Sequence, residues 1–218
     1  MLEVLIMTID SKNILKSILE SMSRIDYIKP EDIPNIPIYM DQVTTFMDAQ
    51  LASSKRYDGD KILTKTMINN YAKNDLIPPP VKKKYSKEHL LILIFVYYFK
   101  SILSISDIQT LLTPINERYF SGSEKLDLTD LYQEVFRLEK GQVDHMVKDI
   151  IRQYEISEKT FLNVPEEEQE FLHQFAFICM LSFDVYVKKQ IIEKLIDQMS
   201  AKNNEDMHDK EKKEKKEK

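Results

Sequence analysis

Leu63-Thr64-Lys65-Thr66-Met67-Ile68-Asn69-Asn70-Tyr71-Ala72-Lys73-Asn74-Asp75-Leu76-Ile77-Pro78-Pro79-Pro80-Val81-Lys82-Lys83-Lys84-Tyr85 lies in the middle third of a 218-residue chain. On a helical wheel of about 100° per residue, Leu63, Met67, Ile68 and Tyr71 fall on one side. Lys65, Asn69 and Lys73 stack at i, i+4 and i+8 on the other, with Thr66 at its edge and Asn70 at its margin. The pattern predicts a helix over Leu63–Asp75 whose exposed stripe joins two cations to amides. Lysine neutralises phosphate, and asparagine can bond adenine as donor and acceptor at once. The plainer reading of the same stripe is a solvated polar face. Three prolines stop the helix and stiffen an extended excursion that carries Lys82, Lys83 and Lys84.

Charge supports a polyanion partner here and nowhere else. The chain carries a net charge of −5. Between Lys61 and Leu90, however, seven lysines stand against Asp75 and Glu88. Affinity for phosphate follows such local neutralisation rather than the sum.

Working outward, Ser86 caps a helix expected to reach Ile102, whose Leu90–Phe99 run reads as buried on most sides. Ser104 and Ser106 cap a short helix, Asp107–Leu112, expected to stop at Pro114, before a loop from Asn116 to Asp127. Upstream, Val43, Met47 and Leu51 mark one face of a helix over Asp41–Leu51. Pro30, Pro34 and Pro37 indicate a linker, and Ile14, Ile18 and Met22 mark a helix over Ser11–Ser23. Downstream, two long helices are expected, Thr129–Tyr154 (softened at Gly141) and Pro165–Met199, where Glu166, Glu167 and Glu168 suit the positive end of the dipole. Residues 201–218 alternate lysine with acid and read as a charged tail, disordered or a frayed solvated helix. The divisions are therefore 1–37, 38–115, 116–200 and 201–218. Three glycines in 218 residues suit long helices with few tight turns.

Three motifs in order resemble MerR-type winged helix-turn-helix regulators over Ile38–Leu112. Asn70-Tyr71-Ala72-Lys73-Asn74-Asp75-Leu76-Ile77-Pro78-Pro79-Pro80 resembles the end of their recognition helix and the start of their wing. Lys84-Tyr85-Ser86-Lys87-Glu88-His89-Leu90 resembles the start of their next helix, and Ser104-Ile105-Ser106-Asp107-Ile108-Gln109-Thr110-Leu111-Leu112 resembles the helix after that. The family usually has arginine where this chain has Asn69, its wing is longer, and no cysteine set here matches its metal sensors. The whole chain also resembles an uncharacterised bacterial family known only as a domain of unknown function, which implies no activity.

The resemblance implies an all-α fold: a MerR-like winged helix-turn-helix domain with a C-terminal helical region. It implies a cytoplasmic bacterial transcriptional regulator that binds double-stranded DNA through Lys65, Thr66, Asn69, Asn70, Lys73, Lys82, Lys83 and Lys84. The C-terminal helices would form a homodimer interface or a sensor region, and the identity of any small-molecule effector is not legible. The main alternative is a protein-interaction module that keeps the winged fold without binding DNA, a third an accessory subunit of an enzyme. No enzyme is expected: Gly59, Gly122 and Gly141 are too scattered for a phosphate loop, and His89, His145, His173 and His208 lack partners at metal-ligand spacing. No cofactor or metal is expected. Cys179, in an apolar run, reads as a buried small hydrophobe. Leu90–Phe99 is half the length of a membrane span.

Overall fold

In the computed structural model, residues 28–122 and 126–214 are described, together with Ser17. The helix expected over Ser11–Ser23 lies outside the described residues, apart from Ser17, which is helical. The described chain is mostly helical, with one two-stranded antiparallel ladder.

Two compact units divide the chain, one holding Ile28–Phe136 with the segment from Tyr186, the other Arg137–Val185. In the first unit the order is β1 (Ile38–Tyr39), α1 (Met40–Gln50), a 3-10 turn (Ala52–Ser54), α2 (Lys65–Lys73), β2 (Lys84–Tyr85), α3 (Lys87–Phe99), α4 (Ile105–Tyr119) and α5 (Leu128–Lys140), whose last four residues pass into the second unit.

α3 supplies the longest buried run of the first unit. Leu90 to Val96 are buried without a break, as their composition predicts. Val43 and Met47 of α1, Ile68 and Tyr71 of α2, Ile108 and Leu112 of α4, and Leu128, Tyr132 and Phe136 of α5 are buried with them. Each such side chain contributes roughly 1.5–3 kcal/mol on leaving water. Phe95 is the aromatic hub, in ring contact with Phe99, Tyr132 and Phe136.

Several expectations are corrected. The stretch before Ile38 is part of the fold rather than a linker: Ile28 and Ile33 are buried, and the Tyr132 hydroxyl donates to the Ile28 carbonyl at 2.7 Å. The prolines forbid helix there but do not prevent packing. α3 ends at Phe99, and Lys100 then donates to the Ile62 carbonyl at 2.7 Å, pinning the long loop between α1 and α2. Pro114 lies inside α4 instead of ending it. The lost backbone bond is tolerated in a helix anchored by Ile108 and Leu112, and Asn116 beyond the proline donates to the Leu76 carbonyl at 3.1 Å.

The second unit contains α6 (Val143–Ser157) and the first part of α7 (Glu166–Glu214). The single helix expected over Thr129–Tyr154 is broken at Gly141 into α5 and α6, because glycine is a poor helix former. Tyr154 meets Phe177 edge to face at 5.5 Å, and His173 Nε2 lies 2.8 Å from the Thr160 carbonyl. Cys179 is exposed, not buried: on this helix Phe177 takes the inward position, and Cys179 is two residues away, about 200° around the wheel. α7 continues through residues 201–214, so this part of the charged tail is helical rather than disordered. Lysine and glutamate are good helix formers, and their spacing along a helix adds support in water.

Candidate nucleic-acid interface

Thr64 caps the start of α2, its hydroxyl accepting the Met67 N–H at 3.2 Å. The inward positions of the helix are Ile68 and Tyr71, and burial raises the Tyr71 phenol above its ordinary value. Consequently Lys65, Thr66, Asn69, Asn70 and Lys73 are all exposed, as the wheel requires. Lys65 and Lys73 stand at opposite ends of this helix, about 12 Å apart along its axis. The first turn contains no acid.

The end of α2 directs the chain toward the lysine-rich turn. The Leu76 N–H donates to the Tyr71 carbonyl at 2.9 Å and the Asp75 N–H to the Ala72 carbonyl at 3.4 Å, the paired bonds of a Schellman motif. Its left-handed position, usually glycine, is held by Asp75 at φ 54°. Leu76 and Ile77 turn into the core, and the prolines carry the chain outward.

Lys82, Lys83 and Lys84 do not form the expected extended arm. Lys82 and Lys83 both have positive φ, 51° and 64°, and the Lys84 N–H donates to the Val81 carbonyl at 3.0 Å. This is a tight two-residue turn of the kind that favours Asn-Gly, built here from lysines. Holding two such residues in the left-handed region costs stability, commonly at places where position matters. Lys82 and Lys83 are exposed and Lys84 is half-buried.

Two contacts tie the start of α2 and this turn to the same end of α1. Lys65 forms an ion pair with Asp41 in the first turn of α1, both side chains well exposed. Lys84 Nζ lies 5.0 Å from the ring centroid of Tyr39, the residue that precedes α1. Lys65 and Lys84 thus reach one neighbourhood, whereas Lys73 belongs to the far end of α2. An open groove of about 480 Å³ beside it is lined by Thr44, Thr45, Asp48, Lys61, Thr64 and Lys65. There a hydrogen bond from Lys55 holds the Asp48 carboxyl below its ordinary value.

Behind the turn, His89 is buried at the start of α3. Its Nδ1 accepts the Ser86 N–H at 3.0 Å, filling the place glutamate or glutamine takes in a capping box. Nε2 faces the Pro79 and Pro78 carbonyls without a linear hydrogen bond to either. Its ring meets Tyr85 and Phe120 edge to face. Burial lowers its affinity for a proton.

Sequence reasoning misses Tyr39, Asp41 and Val81. A two-residue strand after Pro37 has no periodicity to detect. Among the described residues, no cluster of three His, Cys, Asp or Glu side chains could hold a metal, and no helix is long and apolar enough to cross a membrane.

Residues 28–135 match a family model described as a domain of unknown function, DUF1836. The matched span coincides with the first unit from Ile28 through α5 up to Val135. No curated protein and no solved structure matches the chain.

Proposed function

We propose that this protein is a DNA-binding transcriptional regulator in which α1 and α2 act as a helix-turn-helix and the lysine-tipped turn acts as its wing. The observation that carries the reading is the approach of Lys65, at the start of α2, and Lys84, in the turn, to the N-terminal end of α1. Lys65, Lys82, Lys83 and Lys84 would meet phosphate, while Thr66, Asn69 and Asn70 would face base edges in the major groove. Lys73 would meet phosphate farther along. The Asp41–Lys65 pair does not oppose this: exposed ion pairs contribute about 0–1 kcal/mol, so Lys65 can exchange the carboxylate for phosphate.

A second copy of the chain completes the proposal. Phe171, Phe175, Ile178, Phe183 and Val185 of α7 are each at least half exposed. Together they leave on the order of 500 Å² of apolar side chain in water, an amount that often marks an interaction surface. A homodimer would cover it and supply two half-sites.

One observation favours the alternative, a protein-interaction module. Asn69 offers no charge at the centre of the stripe, on a chain whose net charge is −5. A titration of the protein against duplex DNA at two salt concentrations separates the readings: the regulator binds with an affinity that falls as salt displaces its phosphate contacts, and the interaction module does not bind.

A further inference from the structure

The short ladder has two faces, and its register assigns them. Ile38 stands opposite Tyr85, and both are buried. Tyr39 stands opposite Lys84, and Val81 bridges Lys84 from the other side. Residues directly opposite in an antiparallel pair share a face. Val81, Lys84 and Tyr39 therefore form one row across the outward side. Val81 is 70% and Tyr39 53% exposed.

Tyr39, on the strand paired with the end of the lysine-rich turn, and Val81, at its start, leave an aromatic and an aliphatic side chain open to contact. The surrounding charge indicates the chemistry of an occupant. Lys82 and Lys83 form the tip of the turn beside Lys84, and the nearby Lys65–Asp41 pair adds no net charge. Such a surface complements a polyanion. Lys84 differs from its two neighbours in being held: its ammonium lies over the Tyr39 ring, with its stem half-buried. A lysine ordered in advance loses less side-chain freedom when it meets an anion. The exposed tyrosine brings a hydroxyl, a donor suited to a phosphate oxygen.

We propose that Tyr39 and Lys84 act as a single grip on one backbone phosphate of a DNA duplex, the ring positioning the ammonium and the hydroxyl donating to the same phosphate. Val81 packs against the adjoining sugar. This rests on the DNA-binding reading above and adds two residues, Tyr39 and Val81, that lie outside the lysine and asparagine set. Tyr39 belongs to the edge of α1 rather than to the recognition helix, so its contribution carries no base sequence.

The test titrates the full-length protein with a random-sequence duplex at two salt concentrations, alongside Y39F, Y39A and K84A, with circular dichroism melts confirming that each variant folds. Y39F should bind about threefold to tenfold more weakly with an unchanged salt slope, because a hydrogen bond is lost but no charge. Y39A should bind more weakly than Y39F, since Lys84 also loses its support. K84A should flatten the salt slope by roughly one unit. If the wild type binds and Y39F binds equally well, the grip is overturned while the DNA reading stands. If the wild type does not bind, both fall together.

Discussion

At Asp75 the backbone adopts a conformation that suits glycine, φ 54° in the Schellman motif that ends α2. Asp75→Gly should therefore stabilise the protein by roughly 0.5–1 kcal/mol, seen as a higher urea midpoint at unchanged slope. A lower midpoint would mean that the Asp75 side chain contributes more than its strain costs. His89 makes a second residue-scale prediction. Burial lowers its proton affinity in the folded state, against the opposing pull of the Pro79 and Pro78 carbonyls and Glu88. The unfolded chain takes up the proton at about pH 6.5. Stability is thus fully present above that pH and is lost as pH falls toward the lower folded-state value. The urea midpoint should drop between about pH 7.5 and about pH 5.5. His89→Gln, which can still cap α3, should show a smaller drop. An equal drop in both proteins would assign the pH dependence elsewhere.

At the scale of elements, α2 is readable because its two faces differ in kind. The wheel separates Ile68 and Tyr71 from Lys65, Asn69 and Lys73, and burial follows that division residue by residue. The central run of α3 is equally plain. What the sequence conceals depends on contacts between distant segments. β1 is two residues long and exists because β2 pairs with it. The strand therefore needs a partner more than forty residues away. Pro114 resembles a stop signal, but a local rule does not register the packing of Ile108 and Leu112 around it. The Lys82–Lys83 turn is hidden because lysines rarely occupy positions with positive φ. Of the candidate site, the eight residues of the helix and turn are legible from residue type and spacing. Tyr39 is not, because its placement over Lys84 depends on ladder register.

For the whole molecule, the DNA-binding proposal links assembly to function. The exposed Phe171, Phe175 and Ile178 lie on one line of α7, and Phe171 stacks on Phe175 with ring centroids 6.4 Å apart. Light scattering at micromolar concentration should give a dimer, and Phe171→Glu with Phe175→Glu should give a monomer. A monomeric wild type would remove the second half-site from the proposal. The most direct measurement is a binding titration of the wild type against selected and random duplexes at two salt concentrations, repeated with three variants. Changing Lys82, Lys83 and Lys84 together to alanine should weaken binding to both duplexes alike and flatten the salt slope by roughly one unit per lost contact. Asn69→Ala should cost roughly 1–3 kcal/mol on the selected duplex and little on the random one. Tyr71→Ala, a buried control, should lower stability before it alters specificity. A wild-type protein that binds neither duplex at low salt would contradict DNA binding and leave the protein-interaction module in its place.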